Sequence, residues 1–140
     1  MLDANVNFWT VVAAAVAGMI IGYAWYSQSL FGKAWLRAQG KSPEELEAEK
    51  QGKSMGKILA LNGLAQLLTA YVLGVFVNLL DVASVSAGIQ LGFWIWLGFV
   101  GTVQFVAHLY TGKSKDMFLI DTGYQLVNLL VMGAILAGWR

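Results

Sequence analysis

The stretch VSAGIQLGFWIWLGFVGTVQFVAHLY, Val85–Tyr110, contains no Lys, Arg, Asp or Glu and a single histidine, His108. About 20 apolar residues are enough for a helix to cross the hydrocarbon core of a bilayer, so this run is long enough to cross with a tilt. A short basic turn follows, Gly112-Lys113-Ser114-Lys115, and then a second apolar run, Met117–Trp139. Towards the N-terminus lie two more, Ile58–Leu80 and Val6–Tyr26. The expected fold class is all-α: a polytopic membrane protein built as a four-transmembrane-helix bundle. It is read as one transmembrane domain over residues 1–140, with spans at about 6–26, 58–80, 85–110 and 117–139.

Composition agrees. The chain is 58% hydrophobic and 12% charged, against roughly 45–50% and 25% in soluble domains. Mean hydropathy is +0.62. A soluble core of 140 residues cannot hide that much apolar surface, so lipid must cover part of it. A net charge of +1 gives no reason to expect a nucleic-acid partner. With no cysteine and one histidine, neither a disulfide nor a metal site is expected, and no cofactor. Residues 1–7 carry Asp3 but no Lys or Arg, so the first run is read as a retained span and not as a signal peptide.

The loops fix an expected orientation. Lys33, Arg37, Lys41, Lys50, Lys53 and Lys57 lie between the first two runs, and Lys113 and Lys115 follow the third. All but one of the nine basic residues therefore fall on one side. The positive-inside rule assigns that side to the cytoplasm and puts both termini outside, as in a prokaryotic inner membrane. Phe8, Trp9 and Trp139 suit the outer interface, and Trp25, Tyr26, Phe31, Trp35 and Tyr110 the inner one. The long loop contains its own helix start: Ser42, Pro43 and Glu45 form a capping box with Pro at the first helical position. A short helix over residues 42–56 is expected, loosened at its end by Gly52 and Gly56.

The halves resemble each other. Gly32-Lys33 recurs as Gly112-Lys113, and at the same spacing Gly18 falls on Gly98 and Trp25 on Phe105. Asn62-Gly63 matches Thr122-Gly123 once the acidic loop helix is subtracted. The pattern fits two parallel helical-hairpin repeats, which would share an interface.

Polar side chains in the spans are few. Asp121 and His108 are the ionisable pair; Gln104 shares a helix face with His108, and Asn62 shares one with Gln66. Tyr124 and Gln125 follow Asp121, and Tyr26 ends the first span. Asp121, His108, Gln104, Gln66, Asn62, Gln125, Tyr124 and Tyr26 are the candidate lining of a polar pocket open to the cytoplasm, able to relay a proton or hold a cationic group. The competing view is that the amides merely join helices and that Asp121 reaches Lys113 or Lys115. Gly18 with Gly22, and Gly88 with Gly92, have small-xxx-small spacing for helix packing, within the chain or in a homo-oligomer. Gly52-Lys53-Ser54 and Gly112-Lys113-Ser114 lack the upstream glycine of a phosphate loop, where Glu47 and Ala107 stand. No catalytic residue is assigned, since Ser27, His108 and Asp121 match no nucleophile spacing.

Two longer patterns carry a family likeness. The first runs Gly22-Tyr23-Ala24-Trp25-Tyr26-Ser27, then Leu30-Phe31-Gly32-Lys33-Ala34-Trp35. The second runs Trp96-Leu97-Gly98-Phe99-Val100, Gly112-Lys113-Ser114, Leu119-Ile120-Asp121-Thr122-Gly123-Tyr124 and Met132-Gly133-Ala134-Ile135. Together they resemble the domain-of-unknown-function 1761 membrane proteins over nearly the whole chain. The resemblance implies a small four-helix integral membrane protein and no particular activity. Such proteins often carry Pro after Trp-Tyr-Ser, where Gln28 stands here, so the first span is expected to run straighter towards Phe31.

On these grounds the best expectation is a binding or transport-related module for a small molecule or ion. The alternatives are a structural or accessory membrane protein acting through helix–helix contacts, and an intramembrane lipid-modifying enzyme.

Overall fold

Each long helix begins on a short polar side chain. Asn7 accepts from the Trp9 amide, Ser54 from Lys57, Ser84 from Ala87 and Ser114 from Met117. These caps satisfy backbone donors that would otherwise be stranded at the entry to an apolar phase. The computed structural model describes residues 5–140; Asp3 lies outside them. The helices are α1 (Phe8–Trp25), α2 (Gly32–Ala38), α3 (Pro43–Gln51), α4 (Met55–Leu79), α5 (Val85–Ile95), α6 (Thr102–Thr111) and α7 (Lys115–Gly138). A π-helical turn, Trp96–Gly101, joins α5 to α6, so these three form one third span.

Four helices are long and apolar enough to cross a membrane: Phe8–Trp25, Met55–Leu79, Val85–Thr111 and Lys115–Gly138. The shortest has 18 residues, or about 27 Å of rise. The protein is an integral membrane protein with the expected all-α, four-span architecture.

Two ends can be distinguished. At the termini end, Thr10 Oγ1 donates to the Trp139 carbonyl at 2.7 Å and Arg140 pairs with Asp81 at 2.9 Å. At the basic-loop end, Trp25 meets the first turns of α7. Helix α1 is thus antiparallel to α7, and so is the third span, whose Trp96 also reaches α7.

The core is a three-helix contact of α1, α4 and α7. Val11, Ala14 and Ala15 meet Ala70, Leu73 and Val77, and both sets meet Leu129, Met132 and Leu136. Small residues on α1 let the backbones close up, the usual way apolar helices gain contact when lipid competes for the same surface. The third span is the least buried of the four and leans on α7 alone for most of its length. There the backbones nearly touch: a Cβ on Gly88 would collide with the Gly133 carbonyl, and one on Gly92 with the Leu129 carbonyl.

Several boundaries differ from expectation. The first span does not continue towards Phe31. Ser27 N–H and Oγ both bond to the Ala24 carbonyl, and the Phe31 amide returns to Trp25 O at 3.0 Å, so the chain folds back without proline. Gly32 makes this turn tight, because a Cβ there would lie 2.5 Å from the Tyr26 carbonyl oxygen. Helix α2, which follows at once, has no strong periodic signal and was not expected. The loop helix starts as read, with Ser42 Oγ accepting from Glu45 N–H at 3.2 Å, but stops at Gln51. Ser54 then caps a second span that begins at Met55, ahead of Ile58. The π turn interrupts a span read as regular. The two hairpins share order and direction but not packing: Gly18 sits against three side chains, while nothing lies within 4 Å of a Cβ on Gly98, its counterpart in the repeat.

Candidate functional site

Helix α7 carries most of the polarity, and its neighbours hold it at Asp121. The Trp25 indole donates to the Ile120 carbonyl at 2.9 Å, and the Trp96 indole to the Thr122 carbonyl at 3.0 Å. Both carbonyls flank Asp121, and the donors come from different spans. A buried indole N–H needs an acceptor, and a helix carbonyl has a spare lone pair to offer. Trp25 was expected only as an interfacial anchor; its role here depends on which helix lies beside it, which its own sequence does not record.

Asp121 itself is half-buried and accepts a hydrogen bond from the Tyr26 hydroxyl at 2.6 Å. Tyr26 is fixed by edge contacts with Trp35 of α2 and Tyr124 of α7, at centroid distances of 5.8 and 5.7 Å. Neither Lys113 nor Lys115 pairs with Asp121 among the described residues. The carboxylate's protein partner is therefore a phenol and not the basic turn.

Six of the eight candidates separate into two groups. The deeper one joins three helices near mid-span. Tyr124 donates to the Gly18 carbonyl at 2.9 Å and accepts from Gln66 Nε2 at 2.9 Å; Asn128 Nδ2 donates to Gln66 Oε1 at 3.2 Å. Asn128, absent from the candidates, is almost fully buried here. Gly18 and Gly22 are the seats of this cluster. A Cβ on Gly18 would lie 2.6 Å from Asn128 Oδ1 and from Gln66 Oε1, and one on Gly22 would lie 3.1 Å from the Tyr124 hydroxyl. With Gly88 and Gly92 turned to α7, all four packing glycines serve contacts inside one chain, so a homo-oligomer would have to use other faces.

The shallower group surrounds a cavity of about 200 Å³ between α6 and α7. Gln104, His108 and Thr111 form one wall, and Phe118, Asp121 and Thr122 the other, with Lys113 and Met117 at the rim. The sequence spacing foresaw two residues of the first wall, since Gln104 and His108 share a helix face; Thr111 joins them in the structure. His108 stacks on Phe118 with centroids 4.8 Å apart and planes 19° apart. Gln104 Oε1, His108 Nδ1 and Thr122 Oγ1 are buried and have no hydrogen-bond partner among the described residues. A second recess of about 380 Å³, lined by Gln39, Lys41 and Ser114 among others, shares Lys113 and Met117 with the cavity and leads towards the basic loops.

Two candidates belong to neither group. Asn62 is exposed on α4, and Gln125 is half-buried without joining either cluster. Ser27 is committed to the Ala24 carbonyl and does not line the cavity, so no serine stands beside His108. At the basic-loop surface, the hydrogen bond from Lys41 to Glu49 holds the Glu49 carboxyl below its ordinary range.

A family model described as "Protein of unknown function (DUF1761)" matches residues 9–137. No curated protein and no solved structure matches the chain.

Proposed function

The chain belongs to that family of proteins of unknown function, and from this premise we propose that it is a binding, transport-related membrane module whose site is the polar cavity at His108 and Asp121. One observation carries the reading: three residues that line the cavity, Gln104, His108 and Thr122, each keep a buried polar atom, Oε1, Nδ1 and Oγ1, without a hydrogen-bond partner among the described residues. Unpaired polar groups at membrane depth are costly, and a bound group that supplies the missing hydrogen bonds removes that cost. Asp121 adds a carboxylate with one oxygen not taken by Tyr26. Gln104 Oε1 and the free Asp121 oxygen accept, and His108 Nδ1 and Thr122 Oγ1 are able to, so the ligand class the site favours is a proton or a small ammonium-type cation. Lys113 is exposed on the rim, where water and salt screen its charge. The cavity shares Lys113 and Met117 with the recess at Lys41, and the positive-inside rule supports reading that side as cytoplasmic.

Proteoliposomes that contain the full chain and an internal pH dye test this, with methylammonium as the probe. Wild-type protein should couple methylammonium addition to an internal pH change. Asp121→Asn and His108→Ala should each abolish the coupling. Wild-type behaviour in both variants would overturn the proposal.

The deep cluster favours a second reading. Gln66, Tyr124 and Asn128 bond to one another and to Gly18, as interhelical fasteners do. A structural or accessory protein working through helix contacts would tolerate Asp121→Asn and His108→Ala.

A further inference from the structure

A groove on the outer side of the third span is separate from the polar cavity. It lies between the π turn and α7, encloses about 410 Å³ and is walled by Trp96, Leu97, Phe105, Leu119 and Leu126. Its floor is low because Gly101, Thr102, Thr122 and Gly123 put small side chains there. Phe118 divides it from the cavity, with its ring stacked on His108 and set against Phe105 at 5.9 Å. Leu97, Phe105 and Leu119 are exposed, and all lie within membrane-spanning helices, so hydrocarbon is the medium at this depth.

A lysine stands one helical turn beyond the lining of the groove. Lys115, Leu119, Thr122 and Leu126 recur at helical spacing and form one stripe of α7. Lys115 is exposed, stands one turn beyond Leu119 at the basic-loop end, and pairs with no acid among the described residues. Asp116 is next to it in sequence but lies about 100° further round the helix.

We infer that this groove binds one acyl chain of an anionic phospholipid, with the lipid phosphate at Lys115. The apolar slot fits the chain, and the unpaired ammonium one turn beyond its lining fits the phosphate. A zwitterionic lipid would fill the slot equally but gain less at Lys115.

The test uses the full chain released from vesicles of phosphatidylglycerol and phosphatidylcholine, equimolar and of equal chain length, and weighed by native mass spectrometry. One retained phosphatidylglycerol per chain is expected, favoured about fivefold, the preference one basic side chain supplies at a membrane surface. Thr102→Trp fills the slot from an exposed position and should lose both lipids. Lys115→Glu, also exposed, should keep a lipid but lose the preference, and it carries the test if Thr102→Trp does not fold. Equal retention of the two lipids by wild type would overturn the inference. So would full retention by Thr102→Trp, or a dimer of the chain that Thr102→Trp dissociates.

Discussion

The Tyr26 hydroxyl and the Asp121 carboxylate meet at 2.6 Å although 95 residues separate them. The bond closes α1 onto α7 at the basic-loop end, and it gives the acid in the spans a partner that is itself uncharged. Charge alone would have pointed to Lys113 or Lys115.

Tyr26→Phe therefore leaves Asp121 half-buried without its donor. The variant should lose about 1–3 kcal/mol of stability, the usual cost of stranding a buried polar group. Lys113→Ala and Lys115→Ala should stay within about 0.5 kcal/mol of wild type, as exposed substitutions do. Thermal unfolding in detergent compares the three.

Gly18 and Gly98 should behave oppositely. Gly18→Ala pushes a methyl group against Asn128 and Gln66 and should destabilise by about 1–3 kcal/mol. Gly98→Ala meets nothing within 4 Å and should be neutral, or stabilise by up to about 1 kcal/mol through helix propensity. Equal effects would mean that the repeat, and not the packing, governs the two sites.

Gly88→Leu should detach the third span from α7, because backbone and not a yielding side chain is in the way. The readout is protease sensitivity of the short turn at Gly112, with Gly98→Leu as a control on the same span. A protected turn in Gly88→Leu would contradict the close crossing.

These contrasts show what a single sequence can and cannot carry. Span lengths, the loop-helix cap at Ser42 and the basic asymmetry are local or additive signals, and they were legible. The candidate residues were visible as types: polar groups are so costly in a span that each stands out. Their sorting into two groups was not visible. It depends on the rotation of α7 between its neighbours, set by contacts such as Gln66 with Tyr124, 58 residues apart. The turn at Ser27 was missed because it needs no proline, only the tight seat at Gly32. Asn128 was passed over because an amide's importance depends on what faces it.

Orientation is tested by labelling. Cysteines in place of Ser42 and Ser84 should react with an impermeant thiol reagent from opposite sides of the membrane. The native chain has no cysteine to interfere. Reaction at position 42 from outside and at position 84 from the cytoplasm would reverse the assignment of the basic loops, and reaction of both from one side would overturn the span order.

Acid should weaken α3. Lys41 holds the Glu49 carboxyl below its ordinary range, so the contribution is complete above the unfolded glutamate value of about 4.3 and fades as pH falls through the lower folded value. Hydrogen exchange at Glu45–Gln51 amides should rise over that window in wild type. In Glu49→Gln the ion-pair part of that rise should be missing.

The two indoles that donate to α7 have an optical consequence. Trp25 and Trp96 grip successive sides of the same helical turn, so they fix the compass bearing of Asp121 within the bundle. Any motion that swings Asp121 to a new bearing must first release one of those N–H donors. Such a release changes the polarity that the released indole senses, so the protein carries native fluorophores that report the bearing of Asp121.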